Sequence, residues 1–258
     1  MRLSYLLKCI FLSAKSLLRN RIILVLLLVI PAAFFTVTTY TTTNMPFLLK
    51  LASIAVKTVV SISQRQIALI FISLTITGLL SSFLSLVLIQ NQSQEHKRLI
   101  LCGYRSGEII LSKFILLLII ILSISVYISL IIHFFFSPEN IIGVALGFIL
   151  IGFVYGSYGM LIGAVLNGEL EGILFIILLA NLDISWLQNP IFYASAPHKV
   201  FIRSLPSFYP SQVSLISAFS EYSIGHAVLE SIVYGLIFMI IAFLIYALRM
   251  RLSKSENI

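Results

Sequence analysis

Residues 141–166 read IIGVALGFILIGFVYGSYGMLIGAVL, 26 residues without a charge. A helix needs about 20 predominantly apolar residues to cross the hydrocarbon of a bilayer, so this run reads as a membrane span. Gly143, Gly147, Gly152, Gly156, Gly159 and Gly163 punctuate it. Small residues let membrane helices approach closely. At about 100° per residue, Gly152, Gly156, Gly159 and Gly163 fall within an arc of about 60°. That ridge predicts a tight helix contact, either within the chain or across a dimer.

Spans of the same kind lie on both sides of it. They run from Ile22 to about Tyr40, from about Ile67 to Gln90, from Phe114 to Phe135, from near Gly172 onward, and from His226 to Leu248. The composition agrees: of 258 residues, 60% are hydrophobic and 10% charged, where a soluble domain carries roughly 25% charged residues. A chain of this size needs a wettable surface unless lipid replaces water. The expected fold is all-α and polytopic, a single membrane domain with six transmembrane helices over residues 22–248. Residues 249–258 form a cytosolic tail.

Three segments do not fit a simple span. In residues 1–21, Leu3, Leu6, Leu7, Ile10, Phe11, Ala14, Leu17 and Leu18 recur at helical spacing, with Arg2, Lys8, Lys15 and Arg19 largely off that stripe. This is the pattern of an amphipathic helix in the membrane interface. In residues 41–66, Lys50 and Lys57 are seven apart and share one helical face, which predicts an interfacial helix or a helix extension. The clean apolar run of the fifth span ends at Ala180, and Asn181, Asp183, Gln188, Asn189 and Pro190 follow. A half-apolar stretch with Pro197, Pro206 and Pro210 comes next. It is too polar to span and too aromatic for a free loop. Irregular backbone at membrane depth is tolerated only inside protein or beside a wet cavity, so a re-entrant or outer helical hairpin is expected between spans five and six.

Lys and Arg number 17 against 9 Asp and Glu, a net charge of +8. The cations stand at the ends of apolar runs, so they read as topology signals rather than as a nucleic-acid surface. With the amino terminus inside, Arg2, Lys8, Lys15, Arg19, Arg21, Lys97, Arg98, Arg105, Lys113, Arg249, Arg251 and Lys254 face the cytosol. Lys50, Lys57, Arg65, Lys199 and Arg203 face out. Twelve against five puts both termini in the cytosol. Cys9 and Cys102 fall on that reducing side, so no disulfide is expected, and no ligand spacing suggests a metal.

Catalytic patterns are missing from the sequence. There is no GxxxxGK[ST] and no HExxH. In Gly156-Ser157-Tyr158-Gly159 the serine stands one place off the motif of intramembrane serine proteases. Glu169 and Glu171 lack the neighbouring Arg or His of a glutamate-type membrane protease, and His133 and His226 read as interface residues. Ser73, Thr77, Ser81 and Ser85 recur every four residues, either lining a substrate path or bonding back to their own helix. Asp183 is an intramembrane acid and so a functional candidate, or else a residue of the outer headgroup region. Glu230 stands one turn after His226, where the two can pair.

The richest polar stretch is QNQSQEHKRLILCGYRSGEIILSK, residues 90–113. Glu95, His96, Lys97 and Arg98 lead into Leu99, Ile100 and Leu101. Gly103 breaks that run, Ser106 can cap the following helix, and Glu108 lies in its first turn. A short amphipathic helix between two spans suits docking to a soluble partner; an ordinary basic connector is the alternative.

With these features the chain resembles the membrane subunit (permease) of type-two ABC exporters over nearly its whole length. Glu95 to Leu101 matches the family's coupling helix, and Gly103-Tyr104-Arg105-Ser106 through Lys113 matches the stretch leading into the third span. Leu205-Pro206-Ser207-Phe208-Tyr209-Pro210 matches the proline-containing outer hairpin, which Pro190 opens. Gly103 stands near where many members carry proline, and the outer loops are short.

The resemblance implies that Glu95, His96, Lys97, Arg98, Tyr104 and Arg105 couple the permease to a separate ABC-type ATPase, which holds ATP and Mg²⁺. It implies no cofactor and no catalytic residue in this chain, and a dimer with a second copy or a homologous permease. Export of an amphiphilic peptide, drug or lipid-like compound across a bacterial cytoplasmic membrane follows from the family's range. A non-transporting immunity or scaffold protein, or an intramembrane enzyme, are the other classes the sequence leaves open.

Overall fold

The computed structural model describes residues 3–50, 59–90, 106–166 and 168–255. Its elements are α1 (Leu3–Arg19), α2 (Arg21–Thr41), β1 (Pro46–Lys50), β2 (Val59–Ser63), α3 (Gln64–Gln90) and α4 (Ser106–Phe135). There follow α5 (Ile141–Val165), α6 (Glu169–Ala180) with a π-helical continuation over Asn181–Leu187, α7 (Pro190–Ser195), α8 (Lys199–Arg203), α9 (Phe208–Phe219) and α10 (Gly225–Ser255). Among the described residues five stretches are long and apolar enough to cross a membrane: Gln64–Gln90, Gly107–Phe135, Ile141–Val165, Glu169–Leu187 and Gly225–Leu248. α2 adds the shorter apolar stretch Leu27–Thr41. This is a mainly helical chain built as a multi-pass membrane protein.

α5 is the centre of the bundle and packs against α3, α4, α9 and α10. Its glycines permit this. A Cβ on Gly147 would lie 2.1 Å from Ser214 Oγ and 2.8 Å from Ser214 N, so α9 presses on bare backbone there. On the ridge, Gly152 and Gly156 face Ile121 of α4, while Gly159 and Gly163 face Ser82 and Ile89 of α3. The four glycines therefore meet two neighbours within the chain. Asn140 caps α5 by accepting from Gly143 N at 2.9 Å. The outer faces stay apolar and exposed, as at Leu122, Val126 and Leu130 of α4 and Leu236, Ile240 and Leu244 of α10. Such surfaces suit lipid or a partner helix.

Among the described residues between Thr41 and Gln64 the expected helix is not formed. β1 and β2 pair antiparallel, with Pro46 opposite Ser63 and Lys50 opposite Val59. Val59-Val60-Ser61-Ile62-Ser63 is β-branched and alternates, with Ile62 buried and Ser61 exposed, which is a strand's period of two. Spacing two lysines by seven suggested a helical face, but Lys57 lies outside the described residues. The strand then turns into α3 through a reciprocal cap: Gln66 N donates to Ser63 Oγ and Ser63 N donates to Gln66 Oε1, both at 3.2 Å. Arg65 ties this corner to α2, its Nη2 donating to the Thr42 carbonyl at 3.1 Å.

α1 lies along α4. Cys9 and Ser13 are buried on the protein side, and Leu7, Phe11 and Leu18 remain exposed. Beside them Lys113, 1% exposed, turns inward, and its Nζ donates to the Leu88 carbonyl in the last turn of α3. A cation at a helix carboxyl end answers the unpaired carbonyls and the dipole together. Burial pushes the Cys9 thiol up, and the Glu108 carboxylate adds to this against a smaller lowering by Ser112 and Lys113. α10 continues past Leu248 as one helix to Ser255.

Candidate functional site

α6 begins as an ordinary helix, then widens into the π segment at Asn181. Gln188 N donates to the Asp183 carbonyl, five residues back, at 3.3 Å. Single π turns inside helices frequently mark functional positions because they re-aim side chains. Here the re-aimed side chain is Asp183. It is 6% exposed and lies about 20 Å along the axis from Glu169.

Four donors meet its carboxylate. Tyr155 OH of α5 donates to Oδ2 at 2.6 Å, and Ser207 N donates to the same oxygen at 3.1 Å. Ser207 Oγ donates to Oδ1 at 2.5 Å, and Gln188 Nε2 reaches Oδ1 at 3.3 Å. Ser207 is the N-cap residue of α9, yet its hydroxyl does not cap its own helix. Asp183 instead takes the hydroxyl and the amide, so a carboxylate on another segment closes the amino end of α9. Negative charge is favoured at a helix amino end. Pro210, in the first turn of α9, removes an N–H that would otherwise lack a partner.

This node binds three parts of the fold together. Tyr155 fixes α5, Ser207 fixes α9, and Gln188 Nε2 also reaches the Ile202 carbonyl of α8 at 3.4 Å. Thr75 Oγ1 of α3 bonds Ser185 Oγ at 3.0 Å, which ties the π segment to the bundle from its other side. Aromatic rings surround it: Tyr155 packs edge-on to Tyr158, Tyr158 to Phe238 of α10, and Trp186 stacks on Phe192. From Ser207, α9 runs antiparallel to α5, with Ser214 beside Gly147 and Ser217 beside Gly143. A charge-capable group, a pitch defect and a helix amino end thus meet at one buried point.

The other sequence candidates fall elsewhere. Ser73 and Thr77 are buried and bond to the Leu69 and Ser73 carbonyls of their own helix, and Ser85 Oγ donates to the Ser82 carbonyl. Ser81 is also buried, and its hydroxyl has no partner. Pro190 opens α7, and Pro206 stands just before α9. His226 and Glu230 approach to 3.8 Å at the exposed start of α10, away from the node. Glu95, His96, Lys97, Arg98, Tyr104, Arg105 and Cys102 lie outside the described residues. Among the described residues no group of three or more His, Cys, Asp or Glu stands together as a metal site.

Asp183 was legible as an odd acid, but Tyr155, Gln188 and Ser207 were not legible as its partners. Glutamine and proline just after an apolar run were the available sign for Gln188; Tyr155 had none beyond being a hydroxyl inside a span. No protein-family model matches the sequence, and a search of curated proteins finds no match. The resemblance to exporter permeases therefore rests on arrangement alone.

Proposed function

We propose that this chain is the membrane subunit of an ATP-driven exporter of the type-two ABC class. In this reading α2 is the first of six spans and both termini are cytosolic. The membrane is a bacterial cytoplasmic membrane. The observation that carries the reading is α9, a 12-residue helix held inside the bundle with its amino end on a buried carboxylate. At about 18 Å it is too short to cross a bilayer. Transport proteins place such half-helices beside their translocation path, where protein or a wet cavity surrounds them. Residues 188–219 then form the re-entrant hairpin on the outer side.

The ends of the polar connector support the same reading. α3 ends at Gln90 and α4 starts at Ser106, and the Lys113–Leu88 bond holds these ends side by side with α1 packed on α4. A push on residues 91–105 by an ATPase would act on all three helices together. ATP and Mg²⁺ belong to that partner, the functional unit is a dimer of permeases, and the cargo is an amphiphile. Two measurements test this. Reporters fused at Ile258 and near Glu139 are expected inside and outside respectively; the reverse would overturn the topology. ATPase activity is expected to co-purify with the chain and to fall in the double variant Arg98→Glu, Arg105→Glu. Single exposed pairs are worth only about 0–1 kcal/mol, which is why two changes are needed. ATPase association and export both at wild-type level in the double variant would refute the coupling role.

A further inference from the structure

We propose that α8 and Tyr193 form a binding surface for an anionic phospholipid, with Lys199 and Arg203 on its phosphate and the apolar side chains beside them on its acyl chains. The proposal rests on the membrane reading of the long helices and not on the ATPase.

Three observations converge on it. Residues 184–220 carry Lys199 and Arg203 but no Asp or Glu, so this stretch has no acid of its own to answer its cations. Second, one tyrosine gathers both cations. Arg203 Nε donates to Tyr193 OH at 2.8 Å, and Lys199 Nζ lies 5.7 Å from the centroid of the same ring, within cation–π reach. The two stand four apart on α8, a spacing that sets Cβ atoms about 6 Å from each other on one face. Both are exposed. Third, apolar side chains beside them lack protein cover. Val200 is 81% exposed and Phe201 63%, while buried Ile202 holds α8 to the bundle. Trp186, also exposed, stacks on Phe192, the residue before Tyr193.

A water-soluble anion would meet the cations and leave Val200 and Phe201 wet. A phospholipid meets both, because its phosphate and its acyl chains join at the depth where aromatic side chains gather. In the membrane reading Trp186 lies about 25 Å along α6 from Glu169, close to the roughly 30 Å of a hydrocarbon core, so α8 falls at the far interface. Lysine and arginine stems run along apolar surface while their heads reach the phosphate. The guanidinium pairs with phosphate oxygens through a planar fork, and the ammonium acts as a point charge. Two cations favour a headgroup with net negative charge. A zwitterionic headgroup brings a cation of its own, which the pair repels.

Trp186 is the only tryptophan in the chain, so its fluorescence reports on lipid at this patch. The purified chain is reconstituted in phosphatidylcholine vesicles, and chain-brominated phosphatidylglycerol or chain-brominated phosphatidylcholine is added as a contact quencher. Phosphatidylglycerol should quench at a mole fraction about tenfold lower, since each cation near an anionic surface is worth roughly fivefold. Lys199→Gln and Arg203→Gln should each cut this preference roughly fivefold, and the double variant should abolish it. Should Arg203→Gln fail to fold, Lys199→Gln decides. Equal quenching by the two lipids, a preference unchanged in Lys199→Gln, or one abolished by inorganic phosphate at constant ionic strength would overturn the proposal. No ATPase takes part, so this outcome is separate from that of the exporter reading.

Discussion

Replacing Gly159 with alanine adds one methyl at a point where two helix backbones touch. The new Cβ would lie 2.2 Å from the Ser82 carbonyl oxygen, 2.2 Å from Ser85 Oγ and 2.7 Å from Ser82 Cα. Carbon contacts are comfortable near about 3.5 Å, so α3 and α5 must part by about 1 Å. Overpacking of this kind costs about 1–3 kcal/mol, and parting the helices also thins the contact along their length. Alanine returns about 1 kcal/mol of helix propensity. Packing wins, and the variant should lose about 1–2 kcal/mol. The same change at Gly156 meets Ile121 Cδ1 and Leu117 Cδ2, both at 3.2 Å, which are the free ends of flexible side chains. There propensity wins, and Gly156→Ala should be neutral or gain up to about 1 kcal/mol. A difference of about 2 kcal/mol corresponds to roughly 4–8 °C in the unfolding midpoint of a chain this long. Thermal unfolding in detergent, followed by circular dichroism, measures both variants. Gly159→Ala as stable as Gly156→Ala would refute the close approach of α3 and α5.

Two further outcomes follow from the node and from α1. Tyr155→Phe keeps the ring and removes one of four donors to Asp183, so stability should fall by about 0.6–1.7 kcal/mol, the range from the mean to the largest value for polar contacts inside membranes. An unchanged midpoint would mean that the phenol does not hold the carboxylate. In a Cys102→Ser background, N-ethylmaleimide should label Cys9 slowly in the native protein and quickly in dodecyl sulfate, because burial limits both access and thiolate formation. Fast native labelling would contradict the docking of α1 on α4.

Charge-free length made α5 readable from its residues, because no other structure uses 26 apolar residues in water. The start of α3 was equally readable from Ser63-x-x-Gln66, a capping box, but the lysine spacing drew attention to a helical face instead. A five-residue strand offers only two alternations, too few to outweigh a seven-residue spacing. By its sequence Lys113 is a topology charge, yet it is buried under a helix end; nothing local distinguishes the two, since the carbonyl it meets is 25 residues away. The same limit applied to Asp183. Its partners stand 28 and 24 residues off in Tyr155 and Ser207, so only the folded bundle could join them.

α3 touches both regions that the sequence presents as separate. Its carboxyl end carries Leu88, held by Lys113 beside the polar connector. About 20 Å up the same helix, Thr75 bonds Ser185, and Gly78 admits Ile184 and Tyr155 against its backbone. Under the proposed function, displacement at the connector would reach the π segment along this one helix. Coupling between distant sites requires an element with two arrangements. Under the proposed function the π segment would be that element, since a return to α-helical pitch would turn Asp183 away from Tyr155. Thr75→Val cuts the hydroxyl link from α3 and leaves both end regions in place. Under the proposed function it should leave ATPase association intact while lowering export per ATP hydrolysed in vesicles. Wild-type export per ATP in that variant would show that the Thr75–Ser185 contact does not carry the coupling.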